Sequence, residues 1–269
     1  MKLSFIDSHL NRTWRLFATG LCFATFGLGA LLLNLWAFLF VECGTGDTTE
    51  KQLRVQRMLQ RSFAFFCRML HRLGTMDFHI DGFEKLQDGR QSIIIANHPS
   101  LIDYVLIASA LPQCDCLVKS SLWHNPWMRG VLRQAGYIPN RSPEILLEQC
   151  IDRLSTGRNL LIFPEGTRSY SGRPQKLQRG AAQIAVRSNS DIWLVRINVS
   201  PSFLTKEIRW YQTPDKKPIF HVKVEDKIST EALFSNTKHC SIAARLLHQR
   251  LSDFIFNQQH APLSPNEAN

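Results

Sequence analysis

The sequence predicts an α/β fold: a mixed, largely parallel sheet covered by helices and preceded by an N-terminal membrane-associated segment of two helices. From residue 93 onward, strand-like and helix-like stretches alternate in the order βαβαβαβ, which is typical of a parallel sheet with helices on its faces. An uncharged stretch over residues 16–41 is long enough for a membrane helix. With 269 residues, 44% of them hydrophobic, the chain can also bury one core of substantial size.

The first 75 residues are predicted to form a membrane anchor. The uncharged stretch from Leu16 to Val41 exceeds the length of about 20 residues that a spanning helix needs. A segment that dips into the bilayer and returns is the alternative, because Gly27 and Gly29 lie near its middle. A helix over residues 53–73 has arginines on one face and aromatic residues on the other, as in helices that lie on anionic lipid. An ordinary surface helix is the alternative there.

An α/β domain is predicted over residues 76–257, because apolar runs of strand length alternate with stretches of helical periodicity. The predicted strands lie within 77–88 and at 93–96, 117–118, 137–138, 160–163, 192–199, 208–211 and 219–224. The predicted helices lie at 101–111, 123–134, 143–154, 181–186 and 238–256. Residues 258–269 are predicted to be a disordered tail.

A histidine and an aspartate follow the first buried strand of the predicted sheet. The apolar run Ile93–Ala96 ends abruptly, and Pro99 with Ser100 then opens a helix. With His98 in the loop and Asp103 in the first helical turn, a base would lie beside a carboxylate that orients it. Ser100 and Asp103 also match a helix-capping pattern, so a structural role for Asp103 is the alternative.

A second polar loop follows the strand at 160–163. It contains Gly166, which permits close backbone approach, and Arg168, whose planar fork matches a phosphate or a carboxylate. If the two strands are parallel, both loops open into one crevice at their carboxyl ends. A solvated turn is the structural alternative. Isolated basic residues that would enlarge an anion site are Lys119, Arg141, Arg173, Lys176 and Arg179.

The net charge and the cysteine content limit the classes of partner and site that the chain can have. The formal charge of +10 favours anionic partners, among which phosphate-bearing lipids, carrier proteins and nucleic acids all qualify. Nucleic acid is the least favoured, because the basic residues lie beside membrane-type segments and no recognition motif is visible. The seven cysteines are scattered without a Cys-x-x-Cys pair, which argues against a disulfide framework or a zinc site. The sequence has no Gly-x-Ser-x-Gly nucleophile elbow. A direct reaction between two substrates is therefore favoured over a reaction through a covalent enzyme intermediate.

Two segments resemble signature blocks of the glycerolipid acyltransferase family, the 1-acylglycerol-3-phosphate acyltransferases. Asn97–Asp103 contains a His-x4-Asp motif and resembles the first block, and Phe163–Ser169 resembles the third. The resemblance extends over residues 93–199, and the two blocks in this order are far more specific than either alone. The joining segment, which contains the second block, is matched by Lys119, Pro126, Gly130, Leu132, Gly136, Ile138 and Arg141.

The resemblance implies a membrane-bound O-acyltransferase. His98, assisted by Asp103, would take the proton of an acceptor hydroxyl while its oxygen attacks an acyl thioester. Members use acyl-carrier-protein or coenzyme A thioesters as co-substrates, need no metal or cofactor, and acylate lysophospholipids. The implied substrate-binding residues are Glu165, Gly166, Thr167, Arg168, Arg141 and Lys119. We expect contact with anionic membrane lipid, in a bacterial inner membrane, with the catalytic domain on the cytoplasmic face.

The sequence departs from the family pattern in two places. Pro139 and Asn140 precede Arg141 where the family commonly has an apolar and a different polar residue, and Arg196 replaces a common proline of the fourth block. The segment Trp210–Pro214 resembles acyltransferase-like members of fatty-acid or aryl-polyene gene clusters, so a different acceptor is one alternative. A thioesterase that activates water is a second, and a non-catalytic membrane-tethered binding module is a third.

Overall fold

The computed structural model describes residues 2–41, 46–87, 91–140, 142–169, 176–235 and 239–257. Its helices are α1 (Lys2–Val41), α2 (Thr48–Arg72), α3 (Asp103–Ala110), α4 (Ser120–Trp123), α5 (Arg129–Gln134), α6 (Pro143–Ser155), α7 (Gly180–Ser188), α8 (Thr230–Ser235) and α9 (Cys240–Asn257). Its strands are β1 (Asp77–Asp81), β2 (Ser92–Ala96), β3 (Asp115–Val118), β4 (Ile138–Pro139), β5 (Leu160–Ile162), β6 (Asp191–Ser200) and β7 (Ile219–Ile228). A short 3-10 helix, Phe83–Gln87, follows β1.

The strands form one sheet in the order β1-β7-β6-β2-β5-β3-β4. Neighbouring strands are parallel except for β6 and β7, which are antiparallel. The predicted mixed, largely parallel sheet is therefore confirmed. Because β2 and β5 are parallel neighbours, the two polar loops that follow them leave the sheet at the same edge.

Helices cover both faces of the sheet, and β2 shows why. All five of its residues are buried, and successive side chains alternate between the two faces. Ile94 joins a core formed with α2, α3 and α5, whereas Ile93 and Ile95 join a second core formed with α6, α7 and α9. The first core lies under the N-terminal helices.

Helix α1 is continuous from Lys2 to Val41, so the predicted alternative of a bend at Gly27 and Gly29 is wrong. Residues Leu10–Leu35 are long and apolar enough to cross a membrane, judged by length and composition only. One side of this stretch packs on α2, where the ring centroids of Phe26 and Phe66 lie 4.7 Å apart. The opposite side exposes Leu10, Trp14, Phe17, Leu21, Leu28, Leu31, Leu32 and Leu35.

Helix α2 begins at an Asp47 cap whose side chain accepts from Glu50 N. Its apolar face, with Val55, Phe63 and Leu70, is buried in the first core. The prediction that this face meets lipid is therefore wrong, because α3 and the sheet cover it. The arginines of the other face, Arg54, Arg57, Arg61, Arg68 and Arg72, are exposed.

Two further predictions differ from the structure, and three others fall on residues that the structure does not describe. Residues 208–211 form no strand; they belong to the long β6–β7 loop, over 201–218. The single helix predicted at 123–134 is two helices, because residues 124–128 break it with a turn that contains Pro126. The tail at 258–269, Arg141 and Arg173 lie outside the described residues.

Candidate active site

The site begins where β2 ends. The buried Asn97 amide donates from Nδ2 to Ile197 O at 2.8 Å and accepts from Ile197 N at 2.7 Å. This side chain therefore continues the pairing of β2 with β6 one step past the strand. His98 follows at once, so its backbone is fixed to the sheet edge.

His98 and Asp103 form a hydrogen-bonded pair. His98 Nδ1 lies 2.8 Å from Asp103 Oδ2; the carboxylate is fully buried, whereas the imidazole is about one-fifth exposed. A neutral imidazole that donates from Nδ1 carries its lone pair on Nε2. The ring also stacks on Phe163, with centroids 4.4 Å apart, which fixes its plane. The arrangement presents an oriented base at the surface of the site.

Asp103 also closes the turn that precedes α3, a helix whose N-cap, Ile102, makes no side-chain cap hydrogen bond. Asp103 Oδ2 accepts from Ser100 N at 2.7 Å, and Ser100 Oγ donates to Asp103 Oδ1 at 2.5 Å. One carboxylate therefore makes both the contact with His98 and the hydrogen bonds to Ser100. The turn before α3 thereby holds the partner of His98 at a fixed position.

The loop after β5 is tied directly to the His98 turn. Glu165 Oε1 accepts from His98 N at 2.8 Å, and Ser169 N donates to His98 O at 2.7 Å. Glu165 Oε2 accepts from Ser169 Oγ at 2.6 Å. Glu165 is buried, so its carboxyl group joins the two loops rather than lining an open surface.

Burial raises the pKa of the Glu165 carboxyl above its ordinary value. The hydrogen bonds from Ser169 and from His98 N oppose this shift without cancelling it. Gly166, the next residue, has a left-handed backbone with φ of 68° and donates from its N to Phe163 O, closing a turn. Glycine adopts this conformation at little cost, which accounts for its place in the loop.

Thr167 and Arg168 contact the β6–β7 loop. Arg168 Nη1 donates to Leu204 O at 3.2 Å and to Thr205 O at 3.0 Å. Thr167 Oγ1 accepts from Lys206 Nζ at 3.1 Å. A third segment of the chain therefore contacts the second of the two predicted loops.

The predicted basic residues are dispersed. Lys119 is exposed at the carboxyl end of β3, at the same edge of the sheet as His98. Lys176 and Arg179 are exposed before α7, close to the second loop because Gln178 N donates to Pro164 O. Arg141 lies outside the described residues.

Arg196, which replaces a proline common in the family's fourth block, has a structural role. Its Nε pairs with Glu225 Oε1 at 2.9 Å, and its Nη2 donates to Phe254 O at 2.8 Å. The guanidinium also lies 3.9 Å from the centroid of the Phe254 ring. Arg196 thus attaches α9 to the sheet.

The sequence did not predict the hydrogen bonds that several residues make in the site. Asn97, Ser100 and Ser169 lie inside the two motifs, but their hydrogen bonds depend on distances that the sequence does not give. Nothing in the sequence indicated Leu204, because it contributes a backbone carbonyl, which every residue type has. Within the described ranges, no group of three or more His, Cys, Asp or Glu residues is arranged to hold a metal.

Comparison with known proteins finds acyltransferases. Residues 77–201 match the family described as Acyltransferase. The chain is 28% identical over 166 residues to a 1-acyl-sn-glycerol-3-phosphate acyltransferase of Helicobacter pylori, with 54% of this chain and 70% of the relative covered. It is 30% identical over 170 residues to a 1-acyl-sn-glycerol-3-phosphate acyltransferase of Saccharomyces cerevisiae, with 57% of this chain and 54% of the relative covered.

A solved structure shares the fold. The crystal structure of the 1-acyl-sn-glycerophosphate acyltransferase PlsC from Thermotoga maritima superposes with a TM-score of 0.61 at 20% identity. That likeness covers 96% of this chain and 98% of the other. The sequence alignments with three curated relatives span 33%, 70% and 51% of those proteins' lengths.

Proposed function

We propose that the chain is a glycerolipid acyltransferase, which transfers a fatty acyl group from a thioester to a hydroxyl of a lysophospholipid such as 1-acylglycerol-3-phosphate. The match of residues 77–201 to the Acyltransferase family and the similarity to 1-acyl-sn-glycerol-3-phosphate acyltransferases support this proposal. One observation carries the proposal. The pair of His98 and Asp103, with Nδ1 and Oδ2 2.8 Å apart, lies in a turn that is hydrogen-bonded to the Arg168 loop. A base and a cationic loop therefore share one edge of the sheet.

In the proposed mechanism, His98 is the general base. Its Nε2 takes the proton of the acceptor hydroxyl while the oxygen bonds to the thioester carbonyl carbon. The carbon–sulfur bond then breaks, and the thiolate leaves and takes up a proton. Asp103 keeps Nδ1 protonated and stabilises the imidazolium that forms, as the carboxylate of a serine-protease triad does.

The surrounding residues would position the acceptor. Arg168, with Lys119 and Arg141 as further candidates, would hold its phosphate, since a guanidinium matches phosphate oxygens. Gly166 and Thr167 would line the acceptor side, and Glu165 would fix the two loops relative to each other. The donor is an acyl-carrier-protein or coenzyme A thioester, whose phosphates suit the positive charge of the chain.

Membrane association follows from the surface of α1. Its exposed apolar stripe runs from Leu10 to Leu35, while the other side of the helix is held by the domain. On that buried side, Arg15 Nη2 donates to Pro214 O at 2.7 Å, and Asn34 Oδ1 accepts from Val131 N at 2.7 Å. We therefore infer that α1 lies in the bilayer surface, with its stripe in lipid and the α2 arginines at the headgroups.

The direct test is His98→Ala in membranes that carry the full chain. Each thioester donor is offered with a panel of lysolipids, and the products are identified by mass. We expect the variant to lose acyl transfer completely and to keep the thermal unfolding midpoint of the parent. His124→Ala is the matched control, because His124 is exposed between α4 and α5, outside the site.

Two outcomes contradict the proposal. Normal turnover by His98→Ala would remove the general base. Free fatty acid released at the same rate with or without an acceptor would identify a thioesterase instead.

A further inference from the structure

We propose that Lys206 is a second cationic ligand for the phosphate of the acceptor, beside Arg168. The inference rests on the proposed function and deepens it, because it assigns acceptor selectivity to a residue of the β6–β7 loop. Lys206 lies outside the two motifs that identify the family. Its Nζ donates to Thr167 Oγ1 at 3.1 Å, which places an ammonium group next to Arg168 along the second polar loop.

The segment that carries Lys206 is pinned to both motifs. Leu204 O accepts from Leu101 N at 2.9 Å, three residues after His98, and from Arg168 Nη1 at 3.2 Å. A single carbonyl therefore links the His98 turn to the guanidinium. Thr205 O accepts from the same Nη1 at 3.0 Å, so the residue before Lys206 is held as well.

The backbone conformation of Leu204 supports a ligand-binding role for the segment that carries Lys206. Leu204 has a φ of 55°, a left-handed conformation that is sterically unfavourable for a leucine. Such conformations persist where surrounding contacts over-determine them, and they cluster at ligand-binding sites. Here the contacts are the two hydrogen bonds to Leu204 O and the burial of the side chain, which is 1% exposed. The strained turn directs the chain so that Lys206 returns toward Thr167.

Charge supplies the reason for a second cation. A phosphate monoester carries about −1.5 to −2 charges at neutral pH, more than one guanidinium neutralises. The His98 turn adds the buried carboxyl group of Asp103, whose negative charge would repel an anion bound beside it. A lysine ammonium is a mobile point charge with three donors, and it can leave the hydroxyl of Thr167 for phosphate oxygens. Together, Lys206 and Arg168 would match the charge of the phosphate.

The test measures Michaelis constants for both substrates with the full chain in membranes. The variants are Lys206→Ala, Lys206→Arg and the control Lys216→Ala, which removes an exposed lysine of the same loop. Loss of one charge-assisted hydrogen bond predicts a KM for 1-acylglycerol-3-phosphate about tenfold higher in Lys206→Ala. We expect kcat, and the KM for either thioester donor, to stay unchanged. Lys206→Arg should restore most of the acceptor affinity, and Lys216→Ala should match the parent.

The inference is overturned if Lys206→Ala leaves the acceptor KM unchanged, or if the donor KM rises instead, since the ammonium would then serve the carrier's phosphates. An equal loss in kcat with no change in KM would also overturn it, because that result indicates a structural role. His98→Ala is assayed in parallel. An inactive His98→Ala beside an unaltered Lys206→Ala refutes this inference alone, whereas an active His98→Ala refutes the proposed function.

Discussion

At the scale of single residues, carboxyl groups organise the site by accepting hydrogen bonds from the backbone. Asp103 accepts from Ser100 N while it contacts His98 Nδ1, and Glu165 accepts from His98 N while it contacts Ser169 Oγ. Each buried carboxyl group therefore joins a side chain to a turn. The imidazole is fixed through both its ring and its own backbone, as the proposed proton transfer would require.

Glu165→Gln separates the positioning role of this residue from its charge. Burial raises the folded-state pKa of the Glu165 carboxyl, so its stabilising contribution is complete below the unfolded pKa of about 4.3 and is lost as pH rises through the folded pKa. The amide does not titrate. We therefore expect the free energy of unfolding of Glu165→Gln, relative to the parent, to increase from pH 4 towards neutrality by about 1.4 kcal/mol per unit of pKa difference.

Denaturant unfolding in detergent, repeated across that pH range, measures this difference. Glu84→Gln is the control, because it makes the same carboxyl-to-amide change at an exposed residue outside the site. A difference between Glu165→Gln and the parent that does not vary with pH would show that the charge of Glu165 costs nothing.

The motif residues were predictable and their supporting residues were not. His98, Asp103 and Arg168 are recognisable because a base, a carboxylate and a guanidinium stand at the ends of apolar runs. Leu204 contributes only a carbonyl and a left-handed turn, which no residue type signals. Lys206 resembles every other surface lysine until the fold brings it to Thr167.

At the scale of elements, α1 and α2 have amphipathic sequences but different environments. The apolar face of α2 is buried in the protein, whereas α1 buries one side and exposes the other. Periodicity indicates that a helix has an apolar face without showing what covers it, which is why the lipid contact of α2 was predicted wrongly. The strand prediction at 208–211 was wrong because apolar residues in a sequence likewise do not show whether they will be buried. Its apolar residues Trp210 and Tyr211 are exposed in a loop, and an added Cβ at Gly20 of α1 would lie 3.2 Å from the Trp210 ring.

The exposed stripe of α1 makes membrane binding testable with a matched pair of variants. Leu28 and Leu32 are each 59% exposed and lie one turn apart. Each leucine contributes about 1.5–3 kcal/mol when buried in lipid, so Leu28→Lys with Leu32→Lys should weaken vesicle binding at least about a hundredfold. The measurement is co-flotation with anionic phospholipid vesicles.

Ile242→Lys with Leu246→Lys is the control on α9. Those two residues are 42% and 47% exposed and also lie one turn apart, on the helix that covers the opposite face of the sheet. We expect this pair to float like the parent. Equal losses in both pairs would mean that general hydrophobicity, not the α1 stripe, directs membrane binding.

At the scale of the whole molecule, the parallel arrangement of β2, β5 and β3 brings the candidate site residues to one edge of the sheet. The His98 turn, the Arg168 loop and Lys119 all follow carboxyl ends of adjacent strands. This edge was predictable, because alternating strands and helices imply parallel pairing. The antiparallel β7 was not, since its placement depends on the long β6–β7 loop that also carries Lys206.

The extent of the folding unit is the remaining whole-molecule question. The sequence placed a boundary at residue 75, yet α2 buries six apolar residues and Gln56, whose Nε2 donates to the buried Asp115 at 2.7 Å. At about 1.5–3 kcal/mol for each apolar side chain, that burial rivals the whole stability of 5–15 kcal/mol typical of a domain. We therefore expect residues 76–269 alone to lack a cooperative thermal transition by circular dichroism, whereas residues 46–269, which keep α2 and omit α1, should unfold cooperatively. Cooperative unfolding of 76–269 would restore the predicted boundary, because the sheet and its remaining helices would then suffice.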